Sequence, residues 1–387
     1  MRPSLTAAAH RLTEWLMADA LPLWWDRGAD HERGGFYELL SQTGQPAPVD
    51  RRARVQPRQI YSYAVGGRLG WDGPWREAVA HGLDFFLARY RRPDGLFRTL
   101  VHIDGSPADE TVWLYDQAFA LLALCEASKA FPERADLRPL AKTLLKALDG
   151  MRLAAGGFRE ASEAHPFQSN PHMHLLEACL AWSEIDDDQA WSDQADEIIG
   201  LSLNKFIDAH GALHEFFASD WSLEPGVDGR IVEPGHQFEW AWLLERWARL
   251  RNRPDAHAAA RRLYEIGATH GVDAQRGVAF DQLLDDFSIH QFQARLWPQT
   301  ERIKAAVILA GSADTAEDRA AYEQDAVAAV AGLQLYLDAP TKGLWRDKMN
   351  PDGSFIDEPA PASSFYHIVC AIAELAGAAG RSSAPGG

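Results

Sequence analysis

The segment Glu233-Pro234-Gly235-His236-Gln237-Phe238-Glu239-Trp240 places an imidazole, a carboxylate and an indole within little more than one helical turn. Pro234 and Gly235 break what precedes, and Phe238, Ala241, Trp242 and Leu244 then recur at helical spacing. At roughly 100° per residue, His236, Glu239 and Trp240 fall on one side of that helix. A face meant only for packing seldom carries two ionisable groups, because burying them costs several kcal/mol unless they are paired.

Other segments repeat this kind of placement. Gln56-Pro57-Arg58 offers a fixed cation with a planar fork of donors, suited to hydroxyl or enolate oxygens. Asn170-Pro171-His172-Met173-His174 sets Asn170 and His174 one turn apart, while His172 points elsewhere and reads as structural. The His-x-His spacing splays the two rings on a helix and no third ligand follows at a usual interval, so no metal site is read here. Trp297 and Glu301 stand at i, i+4, and Pro361-Ala362-Ser363-Ser364-Phe365-Tyr366-His367 opens a helix with a histidine among small residues. Imidazole serves as base or acid near neutral pH, as proton abstraction beside a carbonyl requires. Glycoside hydrolysis would instead call for two facing carboxylates. His236 and His367 are the dominant pair, with Glu239 and Glu301 placed to orient and polarise them.

The elements that position these residues recur. A turn of glycine followed by small or apolar residues begins at Gly34, Gly95, Gly156, Gly211, Gly277 and Gly343, at intervals of 61, 61, 55, 66 and 66 residues. Around these turns the pattern alternates briefly, as in 97–103, which suits short hairpins. Between them the periodicity predicts two helices per repeat, over 5–21, 57–69, 75–91, 112–131, 136–151, 171–183, 189–206, 235–251, 256–270, 294–310, 315–337 and 363–379. Six helical hairpins with no alternating strands predict an all-α fold, an (α/α)6 barrel, rather than an open solenoid scaffold. Counting from the repeat glycine, Arg58 follows by 24 residues, Tyr115 by 20, His174 by 18, His236 by 25, Trp297 by 20 and His367 by 24. All lie near the start of a second helix, so a closed ring gathers them at one end of its axis.

Bulk properties bound the partners. The chain has 387 residues, 47% of them hydrophobic, and a net charge of -17. Its sequence pI is about 5.2 and its mean hydropathy -0.28. Nucleic acid and anionic membrane surfaces are thus excluded as partners. No apolar run approaches the roughly 20 residues that span a bilayer, and no signal peptide is read at the N-terminus. Cys125, Cys179 and Cys370 stand alone in apolar helical runs, which reads as buried, reduced thiols in a cytoplasmic protein. The fourteen tryptophans are mostly core material, with some excess that a sugar-handling cleft would use. No linker interrupts the period, so 1–379 reads as one catalytic domain and 380–387 as a disordered tail. The Asp186-Asp187-Asp188 and Asp285-Asp286 clusters read as loops or caps. The arginines at 51, 52 and 54, with Arg346 and Lys348, read as solvated surface, although they have the charge to hold a phosphate.

In these motifs the chain resembles the N-acylglucosamine 2-epimerase family, with its mannose isomerases and cellobiose 2-epimerases. The resemblance rests on Gln56-Pro57-Arg58, where alanine more usually precedes the arginine, and on Asn170 through Glu177. It rests also on Pro234 through Trp240, Arg295 through Glu301, and Ser363 through His367. It implies an (α/α)6 barrel and catalysis through a cis-enediolate without metal or cofactor, with His236 and His367 as the acid/base pair. It further implies that Arg58, Tyr115, Asn170, His174, Glu239, Trp297 and Glu301 line a pocket for a small sugar. Monomer and homodimer are both compatible. The motif forms are most similar to the mannose isomerase branch, implying mannose–fructose interconversion. A 2-epimerase or a mannose 6-phosphate isomerase would use the same residues, and a glycoside hydrolase or a non-catalytic scaffold would share the fold.

Overall fold

The computed structural model describes residues 4–162 and 167–383. Among them are twelve helices longer than ten residues: α1 (Leu5–Trp15), α2 (Val55–Arg68), α3 (Trp75–Arg89), α4 (Leu114–Ala130), α5 (Leu137–Ala147), α6 (Ser169–Ser183), α7 (Gln189–Leu201), α8 (Pro234–Arg251), α9 (Pro254–His270), α10 (Leu296–Gly311), α11 (Ala316–Leu337) and α12 (Ser364–Ser383). Each matches an expected span, most to within a few residues. The largest departure is at the first helix, which continues beyond Trp15 through two π-turns, Leu16–Ala20 and Trp24–Gly28. The last helix runs to Ser383, and residues 384–387 of the expected tail lie outside the described residues.

The even-numbered helices form an inner ring. Each packs on the next, and α12 returns to α2, so the ring closes. The odd-numbered helices lie outside, each against an inner partner. Burial follows from this geometry. In α10 every residue from Leu296 to Ala310 is buried, because it has ring neighbours on both sides and α11 behind. In α11 only one stripe is buried, including Ala326, Ala329, Val330, Leu333 and Tyr336. This is the (α/α)6 barrel.

One device fixes the start of the inner helices. All six repeat glycines have φ between 73° and 89°, a region open to glycine at little cost. Two residues after each, in five repeats, the backbone is caught by an inner-helix side chain. Gln56 accepts from the Phe36 N–H at 2.8 Å and donates to its carbonyl at 2.9 Å. Gln117 does the same for Phe97, Gln237 for Leu213 and Gln299 for Ala279. In the third repeat His172 takes the place of glutamine, its Nε2 accepting from the Phe158 N–H at 3.0 Å. Its expected structural role is therefore the one it has.

Short strands tie the connecting loops together. Leu39–Leu40 pairs with Ala360–Pro361, joining the first and last repeats, and Leu100–Val101 pairs with both Arg51–Arg52 and Pro107–Asp109. Arg51 and Arg54 are not solvated surface. Arg51 is fully buried in an ion pair with Asp30, and Arg54 holds Asp116 at 2.9 Å. Their guanidinium groups lie over the rings of Tyr37, Phe85 and Tyr115 and each charge meets a carboxylate, which makes this possible. Arg52 remains half-exposed, paired with Glu38.

Candidate active site

The inner helices begin at one end of the barrel, so their unpaired N–H groups and positive dipole ends converge there. A cavity of about 210 Å³ lies at that end. Two residues of helix turn through roughly 200°, so positions two away from each clamp glutamine face the opposite way, toward the axis. Tyr115, Asn170 and Trp297 stand two before a clamp residue, and Arg58, His174, Glu239 and Glu301 two after. His367 holds the corresponding place two after Phe365 in the sixth repeat, and His236 is one before Gln237. Of the nine expected residues, eight line the cavity. Glu301 does not; it is buried directly behind His367.

The two histidines flank Trp297, whose ring centroid lies 4.8 Å from that of His236 and 5.9 Å from that of His367. Their electrostatic settings differ. His236 Nδ1 lies 2.8 Å from Glu215 and 3.2 Å from Glu233. Burial disfavours its charge, yet the two carboxylates overcome this and push the imidazole up to about 10. His367 Nδ1 meets Glu301 at 2.8 Å, but the other oxygen of Glu301 is 2.6 Å from the fully buried Lys304 ammonium. Burial, with the positive charges of Arg58 and Lys304, drives His367 well below its ordinary value. The surroundings thus favour the charged form of His236 and the neutral form of His367.

Around them, Arg58 donates to the Ser363 carbonyl at 3.0 Å and to the Tyr115 hydroxyl, and stacks 4.3 Å over Phe119. His174 is held by Glu177 at 3.4 Å, and Glu177 also accepts from the Tyr366 hydroxyl. Despite burial, these contacts and Lys304 hold Glu177 down at about 2. Asn170 Oδ1 and both oxygens of Glu239 are buried without a hydrogen-bond partner among the described residues, and Lys304 is 3.5 Å from Glu239. Buried acceptors left open in a cavity suit the hydroxyls of a polyol.

Two expectations are corrected. Glu239 does not hold His236; Glu215 and Glu233 do: Glu233 directly precedes α8, and Glu215 directly precedes Phe216–Phe217, which pairs with Phe167–Gln168 ahead of α6. Trp240 leaves the shared face and packs against Phe206 in the core, since a large apolar ring gains most there. Sequence reasoning also missed Gln168, Arg295 and Lys304. A signal for Glu215 exists: an acid follows the repeat glycine by four residues at Glu38, Glu160, Glu215, Asp281 and Asp347. Three groups among the described residues bring a histidine and two carboxylates, or their equivalent, close enough for a metal ion: His174 with Glu177 and Glu239, His236 with Glu215 and Glu233, and His367 with Glu239 and Glu301. In each, at least one carboxylate already lies within 3.4 Å of its histidine.

An (α/α)6 barrel with an opposed histidine pair in a polyol-sized cavity is the architecture of a carbohydrate-converting protein. The chain belongs to the N-acylglucosamine 2-epimerase family, whose profile matches residues 34–371. It is 50% identical to the mannose-6-phosphate isomerase of Rhizobium meliloti (strain 1021), over 95% of this chain and 96% of that protein. It is 28% identical to the D-mannose isomerase of Thermobifida fusca, over 89% of this chain and 88% of that one. The solved cellobiose 2-epimerase of Spirochaeta thermophila DSM 6192 superposes with a TM-score of 0.85 at 22% identity, covering 97% and 98% of the two chains. The protein is therefore a sugar isomerase or epimerase. No helix among the described residues is long and apolar enough to cross a membrane.

Proposed function

We propose that the chain is an aldose–ketose isomerase acting on mannose or a mannose derivative, through a cis-enediolate, with His236 and His367 as acid and base. The observation that carries this reading is the contrast between two histidines flanking one tryptophan, His236 held by two carboxylates and His367 by one that Lys304 already pairs. His236, fixed through Nδ1, would protonate the ring oxygen from Nε2–H as the C1–O5 bond breaks and the C1 hydroxyl gives its proton to solvent, leaving the aldehyde. His367, its Nδ1–H given to Glu301, presents Nε2 as the base that would take the proton from C2. The electron pair then forms C1=C2 and the charge passes to O1, where Arg58 and the converging helix N-termini would stabilise it. Return of that proton to C1, with the O2 hydroxyl proton passing to O1, gives the ketose. Delivery of a proton to C2 from the opposite face would give the epimer instead. The 50% identical relative's name favours the isomerase outcome. Glu239 and Asn170 would hold hydroxyls.

The test is the rate of mannose-to-fructose conversion in His236→Asn and His367→Asn. Each is expected to lose about 10²–10⁴-fold in kcat while remaining folded, the usual worth of a general acid or base. Activity in both variants within threefold of the parent would reject the assignment. By the same account, activity persists after exhaustive chelation.

A further inference from the structure

Resting on the isomerase reading, we propose that Arg295 is an anion-binding residue of this cavity, and that the substrate carries a phosphate at the end of the sugar remote from C1 and C2. The cavity is lined by two arginines and by His236. Arg58 is held by Tyr115 and the Ser363 carbonyl and His236 by Glu215 and Glu233, both assigned to the reacting end of the sugar. The Arg295 guanidinium has no hydrogen-bond partner among the described residues, its buried Nε included. Its nearest carboxylate, Asp347, is 3.9 Å away and accepts the Ser364 hydroxyl at 3.0 Å instead.

A comparison within the molecule sharpens this. Arg54 and Arg295 each directly precede an inner helix, Arg54 two residues and Arg295 four residues ahead of the clamp glutamine. Arg54 is captured by Asp116 at 2.9 Å and lies 4.7 Å over the Tyr115 ring. Arg295 has no such partner and is 41% exposed toward the cavity mouth. In the antiparallel ladder Arg295 faces Lys348, half-exposed and 2.9 Å from Glu358, which adds a second cation to that side of the rim. The opposing acids are Asp347, Asp281 and Glu233. Burial raises the last two, Glu233 to about 7, which reduces the negative charge that an arriving anion meets.

The chemistry fits a phosphate. A guanidinium fork binds phosphate oxygens two at a time, and the helix N-termini gathered at this end favour a dianion. With C1 and C2 between the histidines, the remote end of a six-carbon sugar points to the mouth, where Arg295 lies. The arginines at 51, 52 and 54 are engaged by Asp30, Glu38 and Asp116 and are poor candidates.

The experiment compares kcat/KM for mannose 6-phosphate and mannose in the parent and in Arg295→Met, with inorganic phosphate titrated by calorimetry into each. Expected are preference of the parent for the phosphorylated sugar, and a loss in Arg295→Met on that sugar at least tenfold larger than on mannose, carried mainly by KM. Inorganic phosphate should bind the parent and bind the variant at least tenfold more weakly. Equal losses on both sugars, or a parent that isomerises mannose and neither prefers its phosphate nor binds inorganic phosphate, would overturn the proposal and leave the isomerase reading standing. A parent inert toward every sugar would sink the isomerase reading, and the phosphate titration would still decide for or against the anion site.

Discussion

His236 and His367 are the same residue type in one cavity, yet their neighbours separate them. Two carboxylates clamp the first, while the single carboxylate behind the second is neutralised by Lys304. Glu215→Gln should therefore lower the His236 value from about 10, because one stabilising anion is lost. The alkaline limb of kcat/KM is expected to move down by more than about one pH unit, measured as a pH–rate profile. An unmoved limb would show that another group sets it. The same shift bears on stability. A histidine raised in the folded state contributes stability that is complete below its ordinary value near 6.5 and is lost as pH rises toward 10. His367 works in the other direction, its neutral folded form losing ground to the unfolded chain as pH falls below about 6.5. Lys304→Met should strand Glu301 and Glu239 without their cation. The expected cost is about 3–5 kcal/mol in denaturant unfolding, with the acid limb of activity moving to higher pH as Glu301 takes up a proton more readily. A variant as stable as the parent would mean that the cation's desolvation had already cancelled its pairing.

At the scale of the element, the glutamine clamp explains why the chemistry is periodic. Glutamine in four repeats, and His172 in a fifth, locks the repeat turn to the start of an inner helix and leaves the positions two residues away facing the axis. Gln117→Leu removes both bonds to Phe97 and leaves a buried N–H and carbonyl unpaired. A loss of about 2–4 kcal/mol in chemical denaturation is expected, with a higher KM because Tyr115 is displaced. Unchanged stability would mean that the turn holds without the clamp. Much of this was legible in the sequence. Repeat glycines have a conformational reason to recur, and a catalytic histidine at a helix start stands out among apolar neighbours. Glu215 was harder, because its meaning depends on which loop is brought beside His236. Arg51 was harder still, because buried and solvated arginines have the same pattern until Asp30 is placed beside one of them.

For the whole molecule, ring closure is what turns six similar hairpins into one site. Packing of α12 on α2 brings His367 and Arg58, more than three hundred residues apart in sequence, to a common cavity, and Arg58 reaches the Ser363 carbonyl across that seam. The strand pair 39–40 with 360–361 closes the same seam at the loops. The most direct measurement is proton NMR of the protein with mannose and, separately, mannose 6-phosphate in deuterated water. The account predicts loss of the C2 proton signal and growth of the matching ketose, with deuterium at C1 wherever the base exchanges with solvent, and conversion at least about 100-fold slower in His367→Asn. Intact C2 protons in both sugars, with the protein folded, would contradict it.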